Sequence, residues 1–175
     1  MMKKLLLASA VAVAFGAAGS TARAGILGDT FQINYDFPGL GSSIESTTFT
    51  PFVAGDSVLV EFGIDTITFY DNAIVISMDP GCGTGCSQNG GAFNGIVISD
   101  LTNPLVSATL GSTNFSGYTL TFVGGEIQYD QQGLDVVPGH FLTIDVATAA
   151  PEPASMALLG AGIAGLGFAR RRKAS

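Results

Sequence analysis

Between Gly25 and Ala150 the chain contains no lysine and no arginine. Its seven basic residues, Lys3, Lys4, Arg23, Arg170, Arg171, Arg172 and Lys173, all lie near the two ends. Thirteen of the fourteen acids fall in the middle, which therefore carries a formal charge of −13. Nucleic-acid binding draws its affinity from cations that displace counterions from phosphates, so the middle is not expected to bind nucleic acid. Tryptophan is absent, which removes the largest ring on which a sugar could stack; Tyr35, Tyr70, Tyr118 and Tyr129 are the substitutes, three of them inside apolar strand patterns. With one histidine, a Ser-His-Asp triad could be assembled only through His140, which sits in the turn-like run Val137-Pro138-Gly139-His140-Phe141 and reads as a turn residue. Spacing singles out no carboxylate pair of the kind a glycosidase needs, and no catalytic residue is assigned. Zinc on Cys82 and Cys86 would want two further ligands where one imidazole is on offer, and no resident cofactor is expected. Calcium asks only for oxygen ligands and stays open on composition, with Asp71, Asp79, Asp100 and Asp130 as loop candidates.

What is present is a core. The chain has 175 residues, 47% of them hydrophobic and 12% charged, a balance that suits one folded domain and excludes a disordered chain. Phe31, Ile33, Tyr35 and Phe37 alternate with Gln32, Asn34 and Asp36, the period of a half-buried strand. Further runs rich in β-branched and aromatic residues cover 47–52, 57–62, 65–70, 73–78, 95–99, 105–110, 118–123, 126–129 and 141–146, separated by glycine, proline, aspartate and asparagine. Asp71-Asn72, between the runs 67–70 and 73–76, is expected to form a tight hairpin. About ten short strands with no amphipathic helix predict an all-β domain over residues 25–150, an antiparallel β-sandwich or jelly roll. Thr48-x-Thr50, Thr66-x-Thr68 and Thr119-x-Thr121 lack the even repeat of a solenoid array and read as outward strand faces.

The two ends are not part of that core. Residues 1–24 open with Lys3 and Lys4, continue through an apolar run and close on Ala22-Arg23-Ala24, the pattern of a secretory signal peptide cut by signal peptidase to leave Gly25 as the new terminus. The apolar run is too short for a transmembrane helix. In an oxidising compartment Cys82 and Cys86 are expected to form a small disulfide ring, closed through Gly83 and Gly85. Residues 151–175 hold Pro151-Glu152-Pro153, a single uncharged hydrophobic helix from Ala154 to Ala169, and a basic stop, Arg170, Arg171, Arg172 and Lys173. Arginines beyond an apolar helix favour the cytoplasmic side, which places the acidic middle outside. This order of elements resembles the PEP-CTERM sorting signal of Gram-negative bacteria. The resemblance implies export, transient anchoring in the inner membrane, processing near Pro151-Glu152-Pro153 by an exosortase-type membrane protease, and delivery to the cell surface or an exopolysaccharide matrix. On this reading the chain is a non-catalytic surface, matrix or biofilm protein, with exopolysaccharide as its partner; the competing expectation is a secreted hydrolase or a carbohydrate- or calcium-binding module on the same tail.

Overall fold

The computed structural model describes residues 25–78, 86–88, 90–149 and 162. Residues 1–24, read from the sequence as a signal peptide, together with Cys82, Asp79 and residues 151–175 apart from Gly162, lie outside the described residues. Gly162 is helical, and among the described residues no helix is long and apolar enough to cross a membrane.

The domain is all-β, built on two antiparallel five-stranded sheets. The first runs β2 (Ser43–Phe49), β1 (Phe31–Asp36), β7 (Gly95–Asp100), β10 (Glu126–Asp130), β9 (Thr119–Val123). The second runs β3 (Ser57–Val60), β4 (Asp65–Tyr70), β5 (Ala73–Met78), β12 (Phe141–Thr148), β8 (Leu105–Thr113). A two-residue ladder joins β6 (Cys86–Ser87) to β11 (Asp135–Val136); the side chain of Cys86 is outside the described residues.

Alternation decides which face is buried. Phe31 and Ile33 of β1 turn inward and meet Ile67 and Phe69 of β4, Ile74 and Ile76 of β5, and Leu142 and Ile144 of β12, all at most 1% exposed. Phe31 and Phe69 pack with ring centroids 4.9 Å apart across the sandwich. Each such side chain removed from water contributes about 1.5–3 kcal/mol. Among the described residues the buried members of this core run from Ile26 to Val146.

Among the strands that depart from their expected bounds, β2, β3 and β8 do so for visible reasons. β2 begins at Ser43, where the polar run Ser-Ile-Glu-Ser hides a strand that borders only β1 and keeps most of its side chains in water. β3 stops at Val60, and Glu61–Gly63 form a single 3-10 turn. β8 runs on to Thr113 because it pairs with β12 through two register shifts, which skip Val106 and Gly111 and bend an otherwise unprotected edge.

Candidate functional site

The least expected feature is polar and internal. Past β3 the backbone turns left-handed at Glu61 (φ 53°), Phe62 (φ 56°) and Gly63 (φ 86°), the first two being residues for which this conformation costs roughly 1–2 kcal/mol. The turn leaves the Phe62 ring exposed and swings the Glu61 carboxyl into the sandwich, where it is 2% exposed. Asp65 opens β4 on the inward face, wholly buried, in hydrogen-bond contact with Glu61. Amides hold the pair. Gln131 Nε2 donates to Asp65 Oδ2 at 2.9 Å and Glu61 Oε2 at 3.2 Å, and Gln88 Nε2 donates to Glu61 Oε1 at 2.7 Å. The Tyr35 hydroxyl donates to Asn94 Oδ1 and lies 3.4 Å from Gln88 Oε1. The Phe62 N–H donates to Glu45 Oε2 at 2.7 Å, which fixes the strained turn from outside.

With no lysine or arginine in the domain, only a proton can neutralise this pair from within. Burial, then the charge of Glu61 and the hydrogen bond to it, hold the Asp65 carboxyl well above the usual carboxylate range, against the opposing bond from Gln131. Burial first, and the same two carboxyls after it, also raise the phenols of Tyr35 and Tyr129. Glu61 and Asp65 touch, whereas glycosidase carboxyls stand about 5–9.5 Å apart around an open cleft. The pair is an interior unit in which Asp65 holds its proton above the usual carboxylate range.

The outward face of the second sheet is the exposed alternative. Register aligns Tyr70, Ala73, Asp145 and Thr109 in one row across β4, β5, β12 and β8. Ala73 is the low point of that row, and a cleft of about 350 Å³ opens beside it, lined by Asn72, Ser107, Thr109, Asp145, Val146 and Ala147. A Cβ on Gly111 would stand 3.0 Å from both Asp145 carboxylate oxygens, so the missing side chain gives that carboxylate its place. The Tyr70 ring, 42% exposed, stands at the end of the row. Hydroxyls, one amide, one carboxylate and an aromatic edge suit a polyhydroxylated or amine-bearing ligand. Of the tyrosines weighed as sugar platforms, Tyr35 and Tyr129 are core, Tyr118 packs on Phe115 and Tyr129, and Tyr70 alone is exposed.

The other residues weighed from sequence are scattered. His140 stacks on Phe115 at 4.8 Å with planes 5° apart, and its Nδ1 has no hydrogen-bond partner. Asp71 occupies the exposed turn between β4 and β5; Asp100 Oδ1 accepts the Thr102 and Asn103 N–H groups; Asp130 Oδ1 accepts those of Asn94 and Gln132. Among the described residues no three acids, histidines or cysteines converge on a metal position. Pro151, Glu152, Pro153 and the four basic tail residues fall outside the described residues.

Residues 149–173 match the PEP-CTERM protein-sorting motif. No curated protein and no solved structure matches the chain.

Proposed function

We propose that this chain, which carries a PEP-CTERM motif and with it the signal for export and for processing by exosortase, a membrane protease, delivers its β-sandwich to the cell surface or extracellular matrix as a non-catalytic component. One observation carries the reading: a sorting motif with a basic terminus is joined to a domain whose charge is exclusively negative. A domain without lysine or arginine does not adhere to the anionic membrane it crosses, and it keeps its exposed acids, Asp145 among them, without an internal cationic partner for amine-bearing or cation-bridged polymers. Exopolysaccharide is the partner, engaged along the outward face of the second sheet, with no resident cofactor.

Two experiments test this. Fractionation of producer cells should find the wild-type domain outside, beginning at Gly25 and ending near Pro151-Glu152-Pro153 by mass spectrometry, and a chain lacking residues 151–175 should lose that processed, surface-held form. An external form that retains Arg170 to Ser175 overturns processing. The purified domain, residues 25–150, should bind the producer's polysaccharide with and without calcium. Tyr70→Ala and Asp145→Asn should each weaken that binding about 10-fold, the scale of one lost polar or stacking contact of about 1.4 kcal/mol; unchanged binding in both removes the cleft from the reading.

A further inference from the structure

Gly25 is where the signal peptide is expected to be cut, and it is also the first described residue and one in close contact with the folded domain. A Cβ at this position would overlap Oδ1 of Asp71 and come within 3.0 Å of the Asp71 carbonyl oxygen. Covalent geometry then puts the Gly25 nitrogen within about 4 Å of the Asp71 carboxylate. The position is fixed from the next residues: the Ile26 N–H donates to the Asp71 carbonyl at 2.8 Å, the Gly28 N–H donates to the Pro51 carbonyl at 2.7 Å, and Ile26 is 1% exposed in the core. Gly25 itself remains half-exposed and Asp71 exposed, so the contact sits at the rim, open to the cut chain end.

We infer that removal of the leader creates a binding site for the chain's own new terminus: the Gly25 α-ammonium pairs with the Asp71 carboxylate and clamps the amino end onto the turn between β4 and β5. The step balances simply. Hydrolysis breaks the Ala24–Gly25 peptide bond, water supplies a hydroxyl to the Ala24 carboxyl and a hydrogen to Gly25, and the amine takes up a proton from solvent at neutral pH. Before the cut, the same nitrogen is a neutral amide with one hydrogen. Afterwards it is the only fixed positive charge in residues 25–150, beside Asp71 and with Asp145 of β12 the next acid across Ala73. The clamp is thus a property of the mature domain and absent from the precursor. It also gives glycine a role here, since a Cβ would displace the Asp71 carboxylate and stand 3.0 Å from the Asp71 carbonyl oxygen.

The inference rests on the sequence reading of the cleavage point, and its test does not. The domain of residues 25–150, which contains the whole described core, is released from an amino-terminal fusion by a protease that leaves Gly25 first. Without lysine, acetylation marks that one amine. Acetylation should lower the Tm by roughly 2–4 °C, the size of a well-placed rim ion pair in a domain this large. The amine should titrate above its ordinary value of about 8 by NMR. Asp71→Asn, a conservative change in an exposed turn, should return the amine to that value and abolish the Tm response to acetylation. Gly25→Ala should lower the Tm with Asp71 present. Equal amine titration in the wild-type and Asp71→Asn domains, or an acetylation effect of the same size in both, overturns the clamp. N-terminal sequencing of the exported protein separately decides the cleavage point.

Discussion

Raising the pH from 4.5 should lower the unfolding free energy of the exported domain until the folded Asp65 has also lost its proton. Unfolded, Asp65 releases its proton near the ordinary aspartate value of 3.8; folded, it keeps that proton well above this. Between the two values the native state binds more protons than the unfolded chain, so stability falls as pH rises and is fully present only at the acid end. One such proton gives a slope of at most about 1.4 kcal/mol per pH unit. Asp100 adds to the same sign: burial raises its carboxyl, the Asn103 and Thr102 N–H groups oppose the shift, and Asp29 adds to it. Self-repulsion among thirteen acids with no basic residue works in that direction too. Asp65→Asn keeps the shape and removes the titration, so its urea-denaturation free energies should show a visibly flatter pH profile. At pH 8.5 it should be at least as stable as the wild type, and at pH 4.5 less stable by about 1 kcal/mol, one hydrogen bond's worth. Equal slopes in the two proteins would mean that the buried pair carries no extra proton.

Strand positions were legible wherever burial is one-sided. Phe31, Ile33 and Tyr35 alternate with polar residues, and 65–70 with 73–78 around Asp71-Asn72 read directly as a hairpin, because the side-chain period is two and the turn residues have a local chemistry. Ser43 to Ser46 carry no strand signal, because an edge strand with little to bury has no apolar alternation. Glu61 was hidden in a run that looked like uninterrupted strand: nothing in Val-Leu-Val-Glu-Phe-Gly announces that the chain turns left-handed there, and the reason is the amide partners Gln88 and Gln131, supplied from distant loops. The outer cleft was illegible for a related reason. Tyr70, Asp145 and Thr109 share a row only through the pairings of β4, β5, β12 and β8, and strand order is not written in any local pattern. The sorting motif, a linear signal, needed no fold to be read.

Gly95→Ala should be the most damaging single methyl group in the domain. Gly95 begins β7, the central strand of the first sheet, and pairs with Asp36 on one side and Asp130 on the other. A Cβ there would overlap the carbonyl oxygen of Tyr129, and would sit 2.9 Å from its carbonyl carbon and 3.0 Å from the Asp130 Cα. These are backbone atoms, so no rotamer change can relieve the contact; β7 and β10 must separate, and Tyr129 and Ile127, both fully buried, move with β10. The expected loss is more than about 3 kcal/mol, a large part of the roughly 5–15 kcal/mol that holds a domain folded. Gly39→Ala is the control: nothing lies within 4 Å of its added methyl, and its stability should stay within about 0.5 kcal/mol of the wild type. The damage should also reach the acid pair. The Gln131 N–H donates to the Asn94 carbonyl at 2.8 Å, and Asn94 adjoins Gly95, so pulling β7 from β10 unseats Asn94 and Gln131, two of the three amides that organise Tyr35, Glu61 and Asp65. Any Gly95→Ala protein that still folds should therefore show a weaker pH dependence than the wild type. A cost below about 1 kcal/mol with the full pH slope retained would mean that the two strands do not run as closely as this geometry requires.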